Sequence, residues 1–174
     1  MADHLALLCV LSHFATGVAV VSARSGDTLS GLTANAVASI CLEPALVMAA
    51  VEHTADTHTV IEKSGSFAIS ILREDHVALS RRFASDRDDK FEGVAHMEGV
   101  TGSPILAEAL AHLECRVVDS LVRGDHTMFI GEVVASRHSE QGRPLIFFRS
   151  GYHRLLHGAG GPRRSGAGAG HAHE

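Results

Sequence analysis

The stretch SGLTANAVASICLEPALVMAAV, residues 30–51, contains two runs typical of β-strands, AVASICL and ALVMAAV, divided by a Glu-Pro pair. Small polar side chains occupy near-alternate positions ahead of the second run: Ser30, Thr33, Asn35 and Ser39. Hydroxyl and amide groups among alanines let a flat ligand approach the backbone, and they can hold a phosphate or the polar rim of a ring. They also suit the solvent face of an ordinary strand, so this stretch alone leaves both interpretations open.

Strand-like runs continue on both sides of this stretch. Upstream, GVAVVSAR and TLSGLT flank the turn signal SGD at 25–27, which predicts a hairpin. Downstream, further strands are predicted by SFAISIL, LECRVVDSLV, HTMFIGEVVASR and LIFFRSGYHRL. The count is at least seven strands joined by tight turns. The sequence therefore predicts a mainly β fold, an antiparallel barrel or sandwich rather than a doubly wound sheet.

Short helices and one tail complete the predicted organisation. DHLALLCVLSHF predicts an amphipathic helix stopped by Gly17, and a second helix is expected between a Thr54 cap and Gly65. EDHVALSRRFAS predicts a third helix, whereas DRDDKF and EGVAHMEGVTGSP are predicted loops. One domain is expected over residues 1–157. The glycine-rich segment 158–174 is expected to be disordered.

Composition excludes several classes of protein. The chain has 174 residues and a net charge of −5, with no basic block to neutralise phosphates, so nucleic-acid binding is not expected. The N-terminal apolar run lacks a basic flank and is too short to span a membrane. Three cysteines without CxxC spacing favour a reduced, cytoplasmic protein. A slightly positive mean hydropathy favours an oligomer.

Motifs for metal, nucleophilic and dinucleotide chemistry are missing from the sequence. Thirteen histidines occur without an HExxH pattern or mixed cysteine clusters, so no metal site is expected. No GxSxG elbow or Rossmann glycine pattern follows a strand. Two residues stay open to either interpretation. Lys90, near Ser85, could bind a phosphate or make a surface salt bridge. His126, after a Gly-Asp turn, could face a cleft or pack in the turn.

The ordered motifs closely resemble those of the short-chain flavin reductases, the small reductase components of two-component flavin-dependent monooxygenases. The resemblance rests on FATGVAVV, GLTANAVASICLEPALVMAAV, IEKSGSFAISIL, DKF, GSPIL, LECRV, GDHTMFIGEV and PLIFFRSGYHRL, in that order over residues 14–155. It implies an FMN-binding split β-barrel, a Greek-key-like antiparallel barrel with a few short helices, that forms a homodimer. It also implies reduction of free flavin by NADH or NADPH and its release to a partner monooxygenase. FMN is the implied flavin, with FAD as the alternative.

The resemblance also implies roles for individual residues. The segment that lines the flavin matches Thr33, Ala34, Asn35 and Ser39, and the stretch along the ring edge matches Ala50 and Val51. Positions near the ribityl phosphate match Thr57, Ser85 and Lys90, with Phe91 beside them. His126 matches a histidine beside the nicotinamide, and Tyr152 matches an aromatic residue at the mouth of the site.

One departure from the family pattern follows the apolar strand. Family members often carry asparagine or a similar neutral residue there, whereas this chain has Glu52 and His53. Because a carboxylate near a flavin phosphate is unfavourable, we expect Glu52 to point away from the site. Two other functions remain alternatives: a flavoprotein that keeps its FMN and reduces a corrinoid, ferric chelate or quinone, and a flavin-binding module without catalysis.

Overall fold

A computed structural model describes residues 3–155 of the chain. The predicted tail, residues 158–174, lies outside the described residues. Three helices are present: α1 (His4–Leu11), α2 (Asp56–Ser64) and α3 (Val77–Phe83). The strands are β1 (Thr16–Gly17), β2 (Ala19–Ser25), β3 (Thr28–Ala34), β4 (Val37–Leu42), β5 (Ala45–Glu52), β6 (Ser66–Ile71), β7 (His96–Glu98), β8 (Pro104–Leu106), β9 (Ala111–Arg123), β10 (His126–His138), β11 (Ile146–Phe148) and β12 (Gly151–His153).

The main sheet is antiparallel and has seven strands in the order β3-β2-β6-β9-β10-β5-β4. Its two edge strands, β3 and β4, follow each other in the chain and are joined only by Asn35 and Ala36. Such a short connection spans about 10 Å, so the sheet has to curl until its edges meet. The opening stretch of sequence thereby closes the barrel. The predicted mainly β split-barrel fold is confirmed.

Two apolar clusters lie on opposite sides of strand β2. Val21 packs with Phe67, Phe129 and their neighbours inside the curled sheet. Val20 packs with Phe83, Leu145 and others outside it. Because successive side chains of a strand point to opposite faces, β2 is buried on both sides. The inner cluster is dense, since a Cβ added at Gly131 would lie 2.6 Å from the Phe67 ring.

The observed helices differ from the predicted ones at two places. Helix α2 begins after Ala55, which provides no side-chain cap, so the predicted Thr54 cap is wrong. Its predicted end is confirmed, because Gly65 adopts the left-handed conformation with φ 65°. Helix α1 buries none of its residues, and Val10 is 69% exposed. Its apolar side chains surround the helix, so the predicted amphipathic character is wrong.

The predicted loop EGVAHMEGVTGSP contains a short strand. Strand β7 pairs with β8 in a two-stranded sheet. Long-range contacts hold this sheet against the barrel: Arg24 donates to Glu98 at 2.8 Å, and the Ser22 hydroxyl donates to the Pro104 carbonyl. Local sequence carries no signal for such contacts, which explains the missed strand. No helix within residues 3–155 has the length and apolar character needed to cross a membrane.

Candidate functional site

A cleft of about 520 Å³ opens where β3 and β5 end and β10 begins. Its walls come from the Asn35–Ala36 connection, from the loop before α2, and from the segment that follows α3. The volume falls in the range of small-molecule sites, roughly 300–1,000 Å³. The barrel topology brings these distant segments together because β5 and β10 are direct neighbours in the sheet.

Most of the residues predicted for the site line this cleft. They come from four separate parts of the chain: Thr33, Ala34, Asn35, Ala50, Ser85, Lys90 and His126. Alanines line much of the wall, with Ala36, Ala55 and Ala84 in addition to Ala34 and Ala50, and three carboxylates line it as well: Glu52, Asp56 and Asp86. Small side chains leave a smooth surface that a flat ring can approach closely, which is one of the two interpretations that the opening stretch of sequence left open.

The other predicted residues lie outside the lining of the cleft. Val51 is fully buried in the barrel core, because it points away from the face that Ala50 and Glu52 share. Ser39 is exposed on β4. Thr57 is 2% exposed, and its hydroxyl lies 2.8 Å from that of Ser30. The structure therefore gives these residues supporting or separate positions.

Two aromatic residues that were predicted for the site lie next to the cleft rather than on its lining. The Tyr152 hydroxyl lies 2.9 Å from the Ser80 hydroxyl, and the Ser80 carbonyl accepts a hydrogen bond from Thr33 at 2.7 Å. Tyr152 thus supports a cleft residue through α3. Phe91 lines a neighbouring cavity of about 380 Å³, which shares Lys90 with the cleft.

Lys90 is held in place from two directions. Its ammonium group lies 3.3 Å from the Gly31 carbonyl, which uses one of its three N–H donors and leaves two for a ligand. The Arg82 guanidinium on α3 donates to the carbonyls of Lys90 and Asp89, both at 2.7 Å. The sequence analysis missed Arg82, because an arginine in the last turn of a helix commonly serves the helix end.

The hydroxyls near Lys90 are already engaged as donors. Ser85 donates to the Arg82 carbonyl at 2.8 Å, and Thr33 donates to Ser80 as described above. Each hydroxyl has one hydrogen, so in this arrangement both oxygens can only accept. Lys90 is consequently the cation of the cleft with free donors for an anionic group, within the described part of the chain.

Glu52 lies on the cleft, contrary to the expectation that it points away. It shares a strand face with Ala50, which lines the cleft, and it is the direct cross-strand partner of His126. Its carboxylate has no side-chain partner among residues 3–155. The strand register explains the difference, since a residue two positions after Ala50 must point to the same face.

His126 is oriented by its sequence neighbour. Its ring Nδ1 donates to the Asp125 carboxylate at 2.7 Å. This hydrogen bond is the main reason that the pKa of the Asp125 carboxyl lies below its usual range. The Nε2 atom is left for a ligand, and the side chain is 45% exposed.

A histidine pair stands behind the wall that carries His126. The Nε2 atoms of His53 and His58 lie 3.1 and 2.8 Å from the same hydroxyl, that of Thr127. Glu62 approaches the other ring nitrogen of His58 at 3.5 Å. Both Nε2 atoms are satisfied when Thr127 donates to His58 and accepts from His53. The sequence analysis missed this network because Thr127 lies 74 and 69 positions from His53 and His58.

The residues that line the cleft fit a flavin. The alanine wall suits a flat ring, and Lys90 offers a compact cation for a single phosphate. Hydride chemistry belongs to the cofactor, so the protein needs no nucleophile of its own. Within the part of the chain that the structure describes, no group of three metal-ligating side chains is found.

Comparison with known proteins agrees with this geometry. The model of the flavin reductase like domain matches residues 11–156. The chain is 42% identical over 140 residues to the reductase component of 4-nitrophenol 4-monooxygenase/4-nitrocatechol 2-monooxygenase from Rhodococcus opacus, covering 80% of this chain and 75% of that protein. It is 42% identical over 147 residues to the reductase component of 4-hydroxyphenylacetate 3-monooxygenase from Thermus thermophilus, covering 84% and 93%.

A solved structure gives the same result. The NADH:FAD oxidoreductase of Streptomyces globisporus, in complex with NAD and FAD fragments, has a TM-score of 0.86 and 33% identity to this chain. The match covers 91% of this chain and 96% of that one. The barrel and the cleft together place this protein among the oxidoreductases with a split-barrel fold. The chain belongs to the family of flavin reductase like domains.

Proposed function

We propose that this protein reduces flavin with NADH or NADPH and supplies the reduced flavin to a partner flavin-dependent monooxygenase. The observation that carries the proposal is the cleft itself, which is lined by small residues from β3 and β5 together with Lys90 and His126. The names of the two relatives described above, both reductase components of monooxygenases, support the monooxygenase partner.

The residues of the cleft divide into three roles in this proposal. Ala34, Asn35 and Ala50 form the surface for the ring, and Lys90 binds the phosphate through its two free N–H groups. His126 orients the pyridine nucleotide through Nε2, while Asp125 fixes its ring. When bound there, flavin would supply the acceptor for the hydride of the nucleotide. The protein contributes proximity and orientation, which reduce the entropic cost of bringing two rings together.

FMN is the proposed flavin and FAD the alternative. Lys90 is the cation with free donors on the cleft, which suits one phosphate. The neighbouring cavity shares Lys90 and Asp56 with the cleft and would be the place for a second nucleotide. Dissociation constants for FMN and FAD, measured on one preparation, decide between them.

The proposal includes a homodimer in the cytoplasm. Leu5, Val10 and Phe14 are 71, 69 and 76% exposed around α1, and burial of such side chains between two copies is favourable. Light scattering that gave the mass of a single chain would contradict the dimer. All three cysteines are free, which fits a reducing compartment.

Rapid mixing of the purified protein with NADH and flavin tests the function. Turnover of flavin added in excess over protein is the expected result. Reduction of one bound flavin per chain, without turnover of the excess, would instead indicate an enzyme that keeps its FMN for another acceptor. Bound flavin that NADH never reduces would indicate a flavin-binding module without catalysis.

A further inference from the structure

A third cavity lies at the end of β10 that is far from the cleft. We call it the arginine pocket; its volume is about 370 Å³, and its polar rim includes Arg73, His112, Arg137 and His138. Arg137 is eleven positions beyond His126 on β10, which corresponds to roughly 36 Å along the strand. The arginine pocket is therefore separate from the flavin cleft.

Two of the rim side chains have unused hydrogen-bond donors. Arg137 and His112 are directly opposite each other on β10 and β9, so their side chains lie on the same face of the sheet. Neither side chain has a hydrogen bond or ion pair with another residue of the described range. Two adjacent donor groups without an acceptor form a place where an anion can bind.

The other charged groups of the pocket do not fill this place. Arg73 pairs with Asp75 at 2.8 Å, and His138 pairs with Glu140 at 3.2 Å. Glu108 is the carboxylate on the rim, and it is exposed. With histidines counted as neutral, two arginines against one glutamate leave the lining with a charge of +1.

The floor of the arginine pocket is apolar. Leu106, Leu110 and Met97 contribute to it, together with alanines at 107, 109 and 111. A thioether next to aliphatic side chains suits an aromatic ring. The pocket thus combines an apolar surface large enough for one ring with a guanidinium and an imidazole at its edge.

We propose that the arginine pocket binds a small aromatic carboxylic acid, with its ring on the apolar floor and its carboxylate on Arg137 and His112. A guanidinium fork matches the two oxygens of a planar carboxylate. An inorganic anion would leave the floor empty, and a neutral aromatic molecule would leave the donors unused.

Calorimetric titration with benzoate, in the presence of saturating FMN, tests the proposal on the full-length protein. FMN fills the cleft, so any heat comes from another site. We expect benzoate to bind, and its neutral analogue benzamide and the ringless anion acetate to bind at least about tenfold more weakly. Absence of benzoate binding, or equal binding of acetate, would overturn the proposal. Loss of benzoate binding on addition of FMN would place it in the cleft instead.

Substitutions locate the site. Arg137→Gln and His112→Asn are each expected to weaken benzoate about tenfold or more and to leave flavin reduction within about twofold. Arg116→Gln is the matched control, since Arg116 is an exposed arginine on the same strand as His112 but outside the pocket. Benzoate affinity that is unchanged in Arg137→Gln, or reduced equally in the control, would show that the ligand binds elsewhere. These outcomes are independent of whether the protein turns over flavin.

Discussion

Glu52 and His126 lie directly opposite each other on β5 and β10, and both line the cleft. A carboxylate that has no side-chain partner within residues 3–155 therefore lies beside the residue proposed to orient the nucleotide. Every anionic ligand of the cleft has to bind against the field of this charge, which Lys90, also on the cleft, partly offsets.

Glu52→Gln is expected to tighten FMN binding about two- to tenfold at low salt, because one opposing charge at roughly 10 Å is removed. The gain should shrink as ionic strength rises. FMN affinity measured by fluorescence at two salt concentrations provides the check. Glu132→Gln is the control, since Glu132 is an exposed glutamate on β10 away from the cleft. An equal gain in both variants would show a general charge effect.

Lys90→Ala is expected to weaken FMN binding about ten- to a hundredfold, the effect of losing a charge-assisted contact worth roughly 1.5–3 kcal/mol. Riboflavin has no phosphate, so its affinity should change little. Lys63→Ala, at the other lysine of the chain, should leave both affinities unchanged. Equal losses for FMN and riboflavin would mean that Lys90 supports the fold of its loop.

His126→Ala is expected to raise the KM for NADH several-fold or more while FMN affinity stays within about threefold, a change under 1 kcal/mol. The reason is that the proposed role of the ring is to position the nucleotide. Steady-state kinetics and FMN titration on the same variant provide both numbers. Weakened FMN with an unchanged KM for NADH would assign His126 to the flavin or to the fold.

Thr127→Val is expected to lower the free energy of unfolding by about 1–3 kcal/mol, because the buried ring nitrogen of His58 loses its hydrogen-bond partner. Thr127→Ser keeps the hydroxyl and should retain most of the stability. Chemical denaturation of both variants measures the difference. Equal destabilisation of the two would attribute the effect to packing of the methyl group.

Gly131→Ala is expected to destabilise the barrel by about 1–3 kcal/mol, since the new Cβ would lie 2.6 Å from the Phe67 ring and from Cys115. The corresponding decrease in Tm is about 2–12 °C for a chain of this size. Gly17→Ala is the control, because nothing lies within 4 Å of a Cβ at that position. Similar melting temperatures for the two variants would show that the core can repack around the alanine.

The sequence by itself determined the fold class and most of the cleft. Alternating and continuous apolar runs define strands through local periodicity, and the resemblance of the ordered motifs to a known family predicts residues 33–35, Ala50, Ser85, Lys90 and His126 for the site. The apolar pattern of a strand can be recognised without knowing which strand it pairs with. The apolar pattern did not predict β7, because the stability of that strand comes from its pairing with β8 and from the contact of Glu98 with the remote Arg24.

Only the tertiary structure decided which way individual side chains face. The register of β5 against β10 turns Glu52 into the cleft and Val51 into the core, and a shift of one residue would exchange them. Arg82 on α3 donates a hydrogen bond to the Lys90 carbonyl, and the Thr127 hydroxyl contacts both His53 and His58. These contacts join residues from different elements. Such contacts depend on strand order and barrel closure, which hydrophobic periodicity along a single strand does not encode.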